Sequence, residues 1–120
     1  MELSEIKALA AAVYRPINES KLQRNVQQFL EQMEPGQWRS EVQCPETLYS
    51  LDLVKGRIVI EVDGPSHFIW DRKVTFATMI KREILKLYGW TVKSVPFFEW
   101  DLLRSQSERV QYLSHLLESN

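Results

Sequence analysis

Residues 50–68, SLDLVKGRIVIEVDGPSHF, hold two runs of alternating apolar side chains on either side of Lys55-Gly56. A two-residue loop ending in glycine is a tight-turn signal, so the runs read as the strands of an antiparallel hairpin. With Val54 opposite Arg57, Leu53 faces Ile58, Asp52 faces Val59, Leu51 faces Ile60 and Ser50 faces Glu61. Strand side chains alternate between faces. Leu51, Leu53, Ile58, Ile60 and Val62 then share one side, and Ser50, Asp52, Val59, Glu61 and Asp63 the other. Three carboxylates converge on a strand pair that should bury hydrocarbon. Neighbouring like charges cost free energy unless a proton or a cation is shared among them. A divalent ion such as Mg²⁺ or Mn²⁺ is the simplest remedy, since it takes oxygen ligands and leaves positions for water and phosphate. Asp52, Glu61 and Asp63 are therefore candidate metal ligands. His67 follows Asp63 past Gly64 and Pro65, which bend the backbone, and is a candidate general base, metal ligand or structural hydrogen-bonder.

Outward from the hairpin, helical periodicity covers residues 4–14 and 19–33, the second with Leu22, Val26, Phe29, Leu30 and Met33 on one stripe and Asn18 as N-cap. Pro16 separates the two. WRSEVQC adds a strand before the hairpin. After it, residues 75–88 form a helix with Phe76, Ala77, Ile80, Ile84, Leu87 and Tyr88 as its apolar stripe, ended by Gly89. WTVKSVP is a fourth strand, FFEWDLL a turn or helix start, and residues 106–118 a last amphipathic helix. Hairpin strands followed by a helical crossover imply an α/β fold, a mixed sheet with helices on its faces. His115, among leucines of the last helix, receives no role.

With 120 residues, 44% of them hydrophobic, the chain can build one core without metal or disulfide staples. Its single Cys44 has no internal partner and reads as a small buried hydrophobe in a reducing compartment. No apolar run approaches the roughly 18 residues of a membrane span, and the first residues lack the basic start and cleavage site of a signal peptide. A net charge of −1 gives no global attraction to nucleic acid, so any such partner must be held by a local patch. One candidate patch is residues 71–93, where Arg72, Lys73, Lys81, Arg82, Lys86 and Lys93 outnumber Asp71 and Glu83.

IEVDGPSHF, followed by MIKREILKLYGWTVKSVPFFEWDLL, resembles the RAP domain, a module at the C-terminal end of organellar RNA-processing proteins. The resemblance covers roughly residues 40–118, with residues 1–36 expected as a helical cap or extension and 37–120 as the domain proper. It implies a restriction-endonuclease-like fold of the PD-(D/E)xK type, near the very-short-patch-repair branch. Asp52 would match the first acid of that pattern and Glu61 the second, and His67 a histidine of the E-x-D-G subgroup. Asp63 stands where many such nucleases carry lysine, and Lys81 could replace it from the helix. In the superfamily the acids hold Mg²⁺, which activates water and stabilises charge on the scissile phosphate. The implied setting is a mitochondrion or plastid, and the implied partners are RNA, single-stranded or structured, and the helical-repeat region of a larger parent chain.

Lys81 and Arg82 match the family's K-R pair and are expected to contact RNA phosphates, together with Arg72 and Lys73. Phe68 and Trp70, in the loop after His67, are the candidates for stacking on bases. Phe97, Phe98 and Trp100, with Trp90, read instead as anchors of the last helix. Three functions remain open from the sequence. They are a metal-dependent endoribonuclease, a non-catalytic RNA-binding module, and a protein-interaction module that docks through the PFFEW corner or the first helices.

Overall fold

A computed structural model describes residues 16–69 and 73–119. The described elements run α1 (Pro16–Met33), β1 (Arg39–Gln43), β2 (Ser50–Lys55), β3 (Ile58–Asp63), a 3₁₀ turn (Pro65–His67), α2 (Phe76–Leu87), β4 (Thr91–Pro96), α3 (Phe97–Trp100) and α4 (Gln106–Glu118). Helix α1 begins at Pro16, three residues before the expected start, because proline's fixed φ and missing N–H suit a first helical position. The helix expected over 4–14 lies outside the described residues.

The sheet order is β1-β2-β3-β4, antiparallel from β1 to β3 and parallel between β3 and β4. This is the mixed α/β sheet expected from the sequence, with α2 as the crossover. On one face α1 and α4 pack Val26, Phe29, Leu30 and Leu113 against Leu53, Ile60, Val62 and Val95. On the other, Leu85 of α2 joins Cys44, Leu51, Val54, Val59 and Trp90. Trp90 thus anchors the α2 face, and only Trp100 of the two tryptophans lies beneath the last helix.

The hairpin turns one residue later than the sequence suggested. Lys55 pairs with Ile58 and Leu53 with Ile60, so Gly56-Arg57 is the loop. Gly56 has φ +60 and is the first loop residue, the position where a primed turn demands glycine. The parity of the faces survives this shift, but Asp52 now lies level with Glu61.

A second departure sits at Asp52 itself. Alternation would put Leu51 and Leu53 on one face, yet they enter opposite cores. The strand turns over between them: the Asp52 amide donates to the Glu61 carboxylate at 3.2 Å, and the Val62 amide donates to the Asp52 carboxylate at 2.8 Å. Side chains thereby replace the ladder's backbone partners. On β1, Glu41 takes up a positive φ of 53° alongside this break.

The largest departure concerns α2. The sequence predicted Phe76, Ala77, Ile80, Ile84, Leu87 and Tyr88 as its buried stripe, but Phe76 is 72% and Leu87 85% exposed, and Ala77, Ile80 and Tyr88 are exposed too. Thr78, Lys81, Arg82 and Leu85 share the helix side turned to the sheet instead, with Leu85 fully buried. Two basic residues have taken the inward positions, for reasons that lie in β3.

Gly56 carries a test of the turn. A Cβ there would meet nothing within 4 Å, so the cost of Gly56→Ala is conformational alone. We expect a loss of about 1 kcal/mol in urea denaturation. An unchanged midpoint would contradict the turn geometry.

Candidate functional site

Odd-numbered residues of β3 point toward α2, so Glu61 and Asp63 lie under that helix, 4% and 0% exposed. Buried carboxylates need charged or hydrogen-bonding partners. Lys81 reaches Glu61 Oε1 with its Nζ at 2.6 Å and also donates to the Ser50 carbonyl at 2.7 Å. Arg82 pairs with Asp63 Oδ2, which also accepts from the Ser94 hydroxyl, while His67 Nδ1 lies 2.7 Å from Asp63 Oδ1. Glu61, Asp63, His67, Lys81, Arg82 and Tyr49 line a cavity of about 240 Å³ between α2 and the sheet.

The three acids have separate fates. Asp52 and Glu61 form a pair: burial first, and then the charge of Glu61, push the Asp52 carboxyl up to about 7. Burial would also raise Asp63, but the hydrogen bonds from His67 and Ser94 and the Arg82 charge outweigh it and hold that carboxyl below its usual range. The expected convergence of three carboxylates is therefore a pair plus a separate, saturated acid. His67 points to Asp63 and not between Asp52 and Glu61. Among the described residues no group of three or more His, Cys, Asp and Glu is placed to hold a metal ion. Two carboxylates do suit a hydrated divalent ion. Asp52 and Glu61 fit that requirement, and Asp63, committed to three other partners, does not join them.

Lys81 and Arg82, expected at phosphates, are turned inward onto acids, and Lys81 also lies 5.8 Å from the Tyr49 ring centre. Lys86 pairs with Glu83 at 3.4 Å, and Lys93 bonds Ser119. Among the described residues, Lys81, Arg82, Lys86 and Lys93 thus do not form one uncompensated patch. Lys73 is exposed, while Trp70 and Arg72 lie outside the described residues. Phe68 is half-buried, meeting Phe97 and Phe98 edge-on at 5.8 and 5.2 Å, which makes it part of an aromatic cluster. Sequence reasoning missed Ser94 and Tyr49. Ser94 reaches Asp63 only because the parallel register sets it beside Glu61, a relation that no local motif encodes.

The fold and this clasp of acids and bases define an α/β domain with an acid-bearing hairpin, two of whose acids, Glu61 and Asp63, are met by cations from one helix. Residues 60–116 match the family model of the RAP domain. A RAP domain-containing protein of rice (Oryza sativa subsp. japonica), described as chloroplastic, is 29% identical over 82 residues. That match covers 68% of this chain and 13% of the rice protein.

The acid pair makes a prediction with a definite sign. The fold keeps a proton on Asp52 up to about pH 7, whereas an unfolded chain releases it near pH 4. Folding therefore binds a proton in this window, so stability falls as pH rises from about 4 to 7, by on the order of 4 kcal/mol from this group. Asp52→Asn has no such proton to lose. Its melting temperature should exceed the parent's at about pH 8, and the gap should narrow toward about pH 5. Parallel pH profiles would contradict the assignment.

Proposed function

We propose that this chain is the RNA-contacting domain of an organellar RNA-processing protein, and that RNA phosphates enter the cavity between α2 and β3. One observation carries the reading. The two acids that would repel a phosphate are each met by a cation from α2, while Arg82 keeps a buried Nε with no hydrogen-bond partner. The site is close to neutral and retains a donor, which lets a phosphodiester approach without uncompensated repulsion. The RAP match supports RNA as the partner, and the chloroplastic relative supports an organellar setting, plastid or mitochondrion. Because the match covers so little of the rice protein, we assign most target specificity to a longer parent chain carrying helical repeats.

A specific observation favours cleavage as the sharper form of this reading. Asp63 occupies the strand position where a nuclease lysine is expected, but Lys81 brings its ammonium to Glu61 from the helix. Asp52, Glu61 and Lys81 then supply two acids and a lysine from different elements. Asp52 and Glu61 would hold one Mg²⁺ or Mn²⁺, which when bound polarises a phosphate and lowers the pKa of water. Lys81 would stabilise charge developing on a phosphate oxygen, and Asp63 would orient His67 toward water or a leaving group.

Lys81→Gln should lower stability, because Glu61 loses its cation, and should weaken binding of single-stranded RNA about fivefold at a temperature where both proteins are folded. Unchanged affinity would contradict the placement of phosphate at α2. End-labelled RNA should be shortened in Mn²⁺ or Mg²⁺, remain whole in EDTA, and remain whole with Asp52→Ala or Glu61→Ala. RNA held but never shortened would leave the binding reading and remove the nuclease.

A further inference from the structure

On the opposite side of the 3₁₀ turn from the acid pair lies a second cavity, of about 300 Å³, between α1 and the α3–α4 corner. Pro65 lines this cavity and His67, two residues on, lines the first. Lys21 and Arg109 bring two positive charges to it, and among the described residues neither takes part in an ion pair. Arg109 is built in rather than loose. Its guanidinium lies 5.0 Å from the Trp100 ring centre and 5.9 Å from that of Phe29, and its Nη1 donates to Asn25 Oδ1 at 2.8 Å. Asn25 Oδ1 also accepts from the Trp100 indole at 2.8 Å, which fixes the acceptor. The Arg109 Nε is buried without a partner. A stacked guanidinium with an unused donor and no carboxylate paired to it suits a planar or tetrahedral oxyanion. Phe97 and Pro65 form an apolar wall, and the exposed Asp101 carboxylate stands at the rim as a hydroxyl acceptor.

We propose that this cavity is a second ribonucleotide subsite, with phosphate on Arg109 and Lys21, base or sugar against Phe97 and Pro65, and a ribose hydroxyl within reach of Asp101. The α2 cations are bound to acids, whereas Arg109 and Lys21 are not, so this subsite is the stronger anion site of the two. An RNA strand would cross the Pro65–His67 turn from one cavity to the other. The inference extends the RNA reading but has its own readout, which needs neither cleavage nor the acid pair.

The test is titration of the parent chain with inorganic phosphate, 5′-AMP and a short oligoadenylate, followed by melting temperature and tryptophan fluorescence. AMP and the oligomer should raise the melting temperature of the parent and of Asp52→Ala alike, and phosphate should do so more weakly. Loss of Arg109 removes packing on Trp100, so Lys21→Glu, at an exposed position, is the primary variant, with Arg109→Lys as the second. Lys21→Glu should weaken AMP roughly tenfold with its own melting temperature near the parent's. Equal AMP affinity in the parent and Lys21→Glu would overturn the proposal, and so would no binding of any of the three probes.

Discussion

The clasp between α2 and β3 sets the rest of this structure. Glu61 and Asp63 are buried on the sheet, and a buried carboxylate without a partner costs several kcal/mol, more than exposing one or two apolar side chains. Helix α2 therefore turns Lys81 and Arg82 inward at the i and i+1 positions, and Leu85 follows on the same side. The apolar stripe that this rotation displaces faces outward, with Phe76, Met79, Ile80 and Leu87 all exposed. Electrostatic matching at two points has decided how twelve residues of helix sit.

Much of this was legible in the sequence. The four strands, the crossover helix, the final helix and the approach of Asp52 to Glu61 followed from periodicity and turn chemistry. Three things did not. Gly56 was read as the second loop residue when it is the first, because Lys-Gly and Gly-Arg are both plausible pairs until the strands are paired. The twist at Asp52 depends on side chains replacing backbone hydrogen bonds, which no alternation pattern encodes. The rotation of α2 depends on acids some twenty residues upstream, and hydrophobic periodicity weighs a helix only against itself. In each case a non-local charge or hydrogen bond overruled a local preference.

The same clasp bears on function. A hairpin with bare acids would repel a phosphate; here Glu61 and Asp63 are already matched, and the remaining acid, Asp52, holds a proton up to about pH 7. On the proposed reading the domain meets phosphate without metal, and Asp52 and Glu61 are the pair a divalent ion would take. In the proposed function, binding and cleavage would be two states of one arrangement, separated by whether Asp52 carries a proton or faces a cation. On the far side of the Pro65–His67 turn, Arg109 and Lys21 supply positive charge that no acid has claimed.

The most direct measurement is a double-mutant cycle on Asp63 and Arg82, with Asp63→Asn, Arg82→Met and both together followed by urea denaturation. If their pairing fixes α2, each single change should be costly, the double should recover much of the loss, and the coupling should be about 2 kcal/mol or more. A coupling below about 0.5 kcal/mol would mean that packing alone sets the helix, and the clasp would lose its place as the organising contact.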